Sequence, residues 1–187
     1  MRHHFLFAAA ALTSSTILNA EVPAGQAQKP AIPSGNWQIS EQSSPLTGAR
    51  SVSAVTQSSN EIANSIGYAD RASLVIRCGE GGLAIYVNWT EVVNRDGENF
   101  AGSPKTIANW RIDDGKIETN FWDISTTGTA AGEFRHKNAL KLISSLVGAR
   151  KLAVRLSGRM MQDAGFDLTG VDGVIAKVTS ACGVRLK

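Results

Sequence analysis

The feature that most constrains the fold of this chain is an alternation of apolar and polar residues in ASLVIRC and LAIYVNW, on either side of GEGG. Every second residue of a β-strand faces the same side of its sheet, so each segment predicts a strand with one buried face. The glycine-rich segment between them is short enough for a tight turn, which predicts an antiparallel hairpin. We expect its buried face to contain Leu74, Ile76, Cys78, Leu83, Ile85, Val87 and Trp89.

A second hairpin is predicted over WRIDDGKIETNFWDIS, residues 110–125, because Asp-Gly is a strong two-residue turn signal. With the turn at 114–115, Asp113 lies opposite Lys116 and Arg111 lies opposite Glu118. Opposite charges that face each other across a hairpin stabilise it modestly. The predicted apolar face consists of Ala108, Trp110, Ile112, Ile117 and Phe121.

This pairing explains the acidic residues Asp113, Asp114 and Glu118 by structure rather than by catalysis. It leaves Trp122 on the polar face, where the tryptophan would cover a second sheet or serve as a ligand platform. We therefore predict that Trp122 is a binding residue within an exposed apolar patch.

The remaining segments complete the fold prediction. NWQISEQ, RSVSAVTQ, ARKLAVRLSG and GFDLTG have the composition of strands. A helix is expected to begin at a cap among Thr126, Thr127 and Thr129 and to end before Gly148. A last helix would bury Val171, Val174, Ile175, Val178 and Cys182. We predict an α+β, mainly β fold: an antiparallel β-sandwich-like domain with two helices and one disulfide.

A basic group follows the first predicted helix: Arg150, Lys151, Arg155 and Arg159. Such residues are typical of a solvated strand edge that discourages aggregation. The alternative is a site for an anionic ligand, and for that reason we keep Arg150, Arg155 and Arg159 as candidate binding residues.

The N-terminus has the three-part pattern of a secretory signal peptide. Arg2 is followed by an apolar run at residues 5–12, and the segment ends with small residues at Ala20. An uncleaved anchor or a soluble N-terminal helix is the alternative. We predict a signal peptide at 1–20, a flexible linker at 21–35 and a single domain at 36–187, located in the periplasm or secreted, with no stable membrane anchor after cleavage.

Export would leave a chain with two cysteines in an oxidising compartment, which predicts the disulfide Cys78–Cys182. Two buried free thiols are the alternative. Removal of the leader would also remove His3 and His4, so that only His136 remains. A zinc site or a nucleophile–His–acid triad therefore lacks residues, and we predict no enzyme activity, no metal and no cofactor.

The net charge of +3 is small for a nucleic-acid binder, and no basic stripe accompanies it. We therefore predict no nucleic-acid partner.

The order SLVIRC, IYVNW, WRIDDGKI, FWDIS, KLAVRL and FDLTGVDGVIAKVTSAC resembles the type VI secretion-associated TagO/VasI family over about residues 36–183. The matching positions are Arg77, Cys78, Arg111, Ile112, Asp113, Trp122, Ser125, Phe166, Asp167, Leu168, Gly170 and Cys182. The invasion-associated locus B family is a weaker match. Neither resemblance supplies catalytic residues.

The resemblance implies an exported, non-enzymatic envelope protein that is accessory to type VI secretion or envelope integrity. Its partner would be an envelope or secretion-apparatus protein, bound through a sheet face or edge. The alternative hypothesis is a periplasmic inhibitor or small-ligand-binding protein, with a pocket lined by tryptophans and by the basic group at 150–159.

Overall fold

The computed structural model describes residues 36–64, 66–89, 91–99, 101–157, 162–184 and 186; the predicted signal peptide and linker lie outside them. In chain order the described residues form β1 (Gln38–Ser43), β2 (Arg50–Gln57), β3 (Ile62–Ala63), β4 (Ala69–Asp70), β5 (Ser73–Gly79), β6 (Gly82–Asn88), β7 (Gly97–Glu98), β8 (Pro104–Ile112), β9 (Glu118–Ile124), β10 (Ala130–Glu133), α1 (His136–Ser145), β11 (Lys151–Leu156), β12 (Asp163–Asp167) and α2 (Val171–Ala181).

Ten strands form one antiparallel sheet, in the order β1-β2-β5-β6-β10-β9-β8-β11-β12, with β7 paired to β8. Strands β3 and β4 form a separate two-stranded hairpin. The predicted fold class, α+β and mainly β with two helices and one disulfide, is confirmed. The strands of the main sheet are hydrogen-bonded continuously from β1 to β12.

The segment after β2 hydrogen-bonds to β12. It thereby connects the β1–β2 end of the main sheet with the β12 end. The N–H of Ser59 donates to the Gly165 carbonyl (2.7 Å), and the N–H of Gly165 donates to Asn60 Oδ1 (2.9 Å). Farther along, the Gln162 side chain exchanges two hydrogen bonds with the backbone of Ala63. Side-chain amides thus occupy backbone groups that an open edge would offer to another chain.

The core lies on one side of the sheet and includes the buried faces of both helices. Alternation along the strands explains this, since β5 and β6 bury every second residue from Leu74 to Val87 as predicted. The turn between these strands is the predicted short one, with Gly79 opposite Gly82. Helix α2 buries Val171, Val174, Ile175 and Val178, also as predicted.

The disulfide Cys78–Cys182 is confirmed. It joins β5 to the residue that follows α2, across a sequence separation of 104. The last helix is therefore covalently attached to a central strand as well as packed on the core.

The hairpin β8–β9 is confirmed, but its predicted register is wrong by one residue. Trp110, not Arg111, lies opposite Glu118, and Thr106 lies opposite Trp122. A shift of one residue moves every side chain of a strand to the opposite face. Consequently Trp122 enters the core and is 2% exposed, whereas Phe121 is 47% exposed.

The predicted start of the first helix is also wrong. Thr126, Thr127 and Thr129 lie in the connection between β9 and β10, where their region is held by hydrogen bonds to Ser125. The strand β10 then occupies Ala130–Glu133, and α1 begins only at His136.

Candidate functional site

Cross-strand pairing aligns one row of side chains on the sheet surface that faces away from the core. We call this row the outer row: Gln38, Val55, Val75, Tyr86, Gly132, Asp123 and Lys105. None of the seven belongs to the core. Because paired residues share a face in an antiparallel sheet, the row presents amide, apolar, aromatic and charged groups in sequence across the surface.

A polar cleft of about 410 Å³ lies at the Gln38–Val55 end of the outer row. Its lining residues come from the start of the domain, from β2 and the segment after it, from the start of β5 and from β12: Asn36, Gln38, Val55, Gln57, Ser58, Ser59, Arg71, Ser73 and Asp167. Val55 supplies the apolar part of this lining. The cleft has a size typical of small-ligand sites, with an unusually polar wall.

The two charged residues of the cleft are each anchored by local hydrogen bonds. Arg71 Nη1 donates to the Ser58 carbonyl (2.6 Å). Asp167 Oδ1 accepts from the N–H and the hydroxyl of Thr169 (2.9 and 2.7 Å). These two hydrogen bonds, opposed by burial and assisted by the charge of Lys151, lower the pKa of Asp167, so the carboxylate is ionised at neutral pH.

An aromatic layer occupies the middle of the outer row. Tyr86 stacks on Phe134 with 5.3 Å between ring centroids, and the Arg77 guanidinium lies 5.6 Å from the Tyr86 centroid. Val75 and Ala84 are buried on this face although they are outside the core. The sheet therefore carries a small second apolar layer on its outer side.

The far end of the outer row is charged. Lys105 Nζ lies 2.9 Å from Asp123 Oδ1, and Arg135 Nε lies 4.0 Å from Asp123 Oδ2. Nearby Glu133 is buried, and burial raises its pKa, with the charge of Asp123 acting in the same direction and the hydrogen bond from Asn138 opposing it. An ion pair this well formed favours a structural role for these groups.

The β8–β9 hairpin exposes apolar groups in β9, on the same outer side, and next to its turn. Phe121 pairs with Ile107 in the sheet, and its ring lies over Gly97, where an added methyl group would be 3.6 Å from Phe121 Cε1. Ile117, in the turn, is 67% exposed. We call Ile107, Ile117 and Phe121 the outer hairpin face.

Trp122, which the sequence predicts as an exposed binding residue, is instead a core residue. Its ring stacks on Trp110 with centroids 5.3 Å apart. The register shift is the physical reason, since Trp122 follows Thr106 onto the inner side. The expectation of an exposed apolar patch that includes Trp122 is therefore wrong; the exposed aromatic residue of β9 is its neighbour Phe121.

The three candidate arginines do not form one described group. Arg155 makes two hydrogen bonds to the carboxylate of Asp163 (2.6 and 2.9 Å), which neutralise its charge. Arg150 precedes β11 and is exposed. Arg159 lies outside the described residues. Neither Arg150 nor Arg155 lines the polar cleft.

Of the acidic residues of the hairpin, Asp113 has a structural contact, although not the predicted one with Lys116. Asp113 Oδ1 accepts from the N–H groups of Arg150 and Lys151 (2.9 and 2.8 Å), which fixes the start of β11. The single histidine of the domain, His136, accepts at Nδ1 from the N–H of Leu83 (3.3 Å).

The cleft residues escaped sequence reasoning because they are common polar types scattered over residues 36–167. No local motif connects them, and only the folded sheet brings them together. Among the residues that the structure describes, no group of three or more His, Cys, Asp or Glu could hold a metal ion. Within the same residues, neither helix has the length and hydropathy needed to cross a bilayer.

These features define a disulfide-linked, mainly antiparallel β-domain with a polar cleft and with exposed apolar residues in its β8–β9 hairpin. The disulfide indicates an oxidising environment, such as exported proteins encounter.

No protein-family model matches the chain, and no curated protein matches it either. A crystal structure of invasion associated protein B from Bartonella henselae is similar at a TM-score of 0.43 and 11% identity, over 78% of this chain and 93% of that one. This similarity is too low to carry an argument. It gives no support to the TagO/VasI resemblance.

Proposed function

We propose that this chain is an exported, non-enzymatic envelope protein that binds a partner protein through the outer hairpin face. The observation that carries the proposal is the exposure of two large apolar side chains in one hairpin, Phe121 within β9 and Ile117 just before this strand. Single exposed apolar residues are common on protein surfaces, but several in one element are typical of an interaction site.

The surroundings of these residues strengthen this interpretation. All side chains of β9 from Glu118 to Phe121 are exposed, on both faces of the strand. The core reaches β8 at Ala108 and Trp110, the partners of Asn120 and Glu118, but leaves this part of β9 uncovered. A β-strand with two uncovered faces gains little from its own domain, and a bound partner would supply the missing contacts.

The proposal that the protein is not an enzyme is supported by the acidic side chains, several of which are engaged in hydrogen bonds or ion pairs within the domain. Asp113 holds the start of β11, and Asp163 binds Arg155. Asp96 accepts four hydrogen bonds from surrounding groups. Carboxylates engaged in this way are poorly suited to accept a substrate proton.

The family resemblance suggests the class of partner. It favours a component of the type VI secretion apparatus, or a protein that maintains envelope integrity. A chain that works in this manner would act as an accessory protein by contact alone.

Photo-crosslinking in the native envelope tests the proposal. A photoreactive amino acid would replace Phe121 in one strain and Leu46 in a control strain; Leu46 is 91% exposed in the β1–β2 connection. We expect one discrete protein to be crosslinked from position 121, and we expect that this protein is not crosslinked from position 46. Mass spectrometry would identify it as a secretion component or a cell-wall hydrolase, the latter favouring an inhibitor.

Substitutions provide the matched comparison. Ile117→Ser combined with Phe121→Ser should abolish co-purification of the crosslinked partner, while Leu46→Ser should leave it intact. Equal partner recovery from both variants, with both folded, would refute the assignment of this face.

A further inference from the structure

We infer that the polar cleft is a binding site for a neutral saccharide of one or two rings. This inference concerns a different surface from the outer hairpin face and does not depend on the proposed protein partner.

Two serines of the cleft lining are held in place by hydrogen bonds. Ser58 is buried, its N–H donates to the Ala72 carbonyl (2.8 Å) and its hydroxyl donates to the Asn60 carbonyl (2.6 Å). The neighbouring Ser59 hydroxyl donates to the Gly165 carbonyl of β12 (3.0 Å). The hydroxyl groups of both serines are therefore already engaged, and the contact of Ser59 with Gly165 also joins the segment after β2 to β12, so this part of the lining is preorganised.

The wall of the cleft, by contrast, has unused hydrogen-bonding capacity. Within the described part of the chain, the side chains of Asn36, Gln38, Gln57 and Ser73 make no hydrogen bond. Arg71 uses Nη1 for the Ser58 carbonyl, and Asp167 uses Oδ1 for Thr169. The remaining guanidinium nitrogens and Asp167 Oδ2 keep donors and an acceptor available.

The mixture of these groups selects the ligand class. Each amide offers both a donor and an acceptor, and a sugar hydroxyl also acts as both. Arg71 and Asp167 carry opposite charges, so a strongly anionic or cationic ligand meets one like charge. Val55 is the single apolar residue of the lining, which gives peptide side chains or acyl chains little surface to bury.

The size of the cleft limits the ligand. Its volume of about 410 Å³ is at the lower end of the range for small-molecule sites. One or two sugar rings fit this space, and a longer chain would extend along the sheet surface.

A titration followed by two-dimensional amide NMR tests the inference directly, because it detects weak binding and locates it. The probes are cellobiose and N,N′-diacetylchitobiose; the comparison ligands are dialanine and inorganic phosphate at equal concentration. We expect saturable shifts from at least one saccharide at residues 57–59, 71–73 and 167. Equal or larger shifts there from dialanine or phosphate, or saccharide shifts elsewhere or none at all, would overturn the assignment.

Variants supply the second readout. Gln38→Ala and Gln57→Ala should each weaken saccharide binding at least about tenfold, the effect of losing one to two hydrogen bonds. Gln42→Ala is the matched control, because Gln42 lies on the same strand as Gln38 but does not line the cleft. Melting temperatures of all three variants should remain those of the parent. Unchanged affinity in both cleft variants would also overturn the assignment.

Discussion

Asp96 accepts four hydrogen bonds that its local sequence does not reveal. Its Oδ2 accepts from the N–H of Ile107 (2.8 Å) and the hydroxyl of Thr106 (3.1 Å). Its Oδ1 accepts from Asn94 Nδ2 and from the Ser157 hydroxyl (both 2.9 Å). Burial acts to raise the pKa of Asp96, but these four hydrogen bonds outweigh it and the pKa is lowered.

We expect Asp96→Asn to lower the free energy of unfolding at pH 7 by about 2 kcal/mol, because the amide offers one acceptor oxygen where the carboxylate offers two charged ones. Urea denaturation measures this difference. Asp114→Asn is the control, since Asp114 is exposed in the turn between β8 and β9. A loss no greater than that of the control would show that the hydrogen bonds contribute little.

The pH dependence of the stability difference between the parent protein and Asp96→Asn provides a second check. The pKa of Asp96 in the folded state lies below its unfolded value of about 3.9. The ionised carboxylate therefore contributes its full stabilisation at pH values above the unfolded pKa. It is lost as the pH falls through the lowered pKa. The difference between parent and Asp96→Asn should therefore stay constant from pH 7 to about pH 5 and shrink below about pH 4.

The partners of Asp96 extend from Asn94 to Ser157, so no sequence pattern could connect them. The polar cleft was missed for the same reason. By contrast, Leu74, Ile76 and Cys78 were identified correctly as inward-facing, because alternation within one strand is a local property.

At the scale of secondary structure elements, the strands of the hairpin β8–β9 can be predicted from the sequence, whereas their register cannot. Its two strands follow from composition and from the turn signal. Its turn contains Asp113, which has a φ of 48° and whose carboxylate accepts a hydrogen bond from the backbone of β11. That contact is remote in sequence, so the local turn signal does not contain it.

Strand β10 was missed because its sequence, AAGE, has no β-branched or aromatic residue. Gly132 within it lies against β6 so closely that an added Cβ would collide with the Ile85 carbonyl oxygen and the Tyr86 Cα. The fold therefore needs the absence of a side chain at this position, which a count of strand-forming residues cannot detect.

Two glycine-to-alanine changes should act in opposite directions. Gly132→Ala should lower the unfolding free energy by at least about 2 kcal/mol, because the clash involves backbone that must separate. Gly173→Ala in α2 should raise it by about 0.5–1 kcal/mol, since nothing lies within 4 Å and alanine favours a helix. Paired denaturation curves measure both values. A neutral Gly132→Ala would show that β6 and β10 are farther apart than described.

At the scale of the whole molecule, the ends of the sheet are joined through side chains rather than through strand pairing. Asn60 bonds to β12, and Gln162 bonds to Ala63. The cleft lies where these ends meet, so its residues share one surface only when the entire sheet has formed. A fold class can be predicted from separate strands, whereas this kind of site depends on how the complete sheet bends.

The disulfide acts on the same scale, because Cys78 and Cys182 are 104 residues apart in sequence. In the chain-entropy model, a loop of this length restricts the unfolded chain by about 4–5 kcal/mol. We expect Cys78→Ala combined with Cys182→Ala to lower the unfolding free energy by about that amount, measured by guanidinium denaturation under oxidising conditions.

Two comparisons separate the cross-link from the packing of the cysteine side chains. Cys182→Ala alone leaves buried Cys78 in place, and it should lose nearly as much stability as the double variant. Reductant should bring the parent to the stability of Cys182→Ala and leave the double variant unchanged. If the double variant lost less than about 1 kcal/mol, the restriction of the unfolded chain would be small, and α2 would be held on β5 by the packing of Val174, Ile175 and Val178 alone.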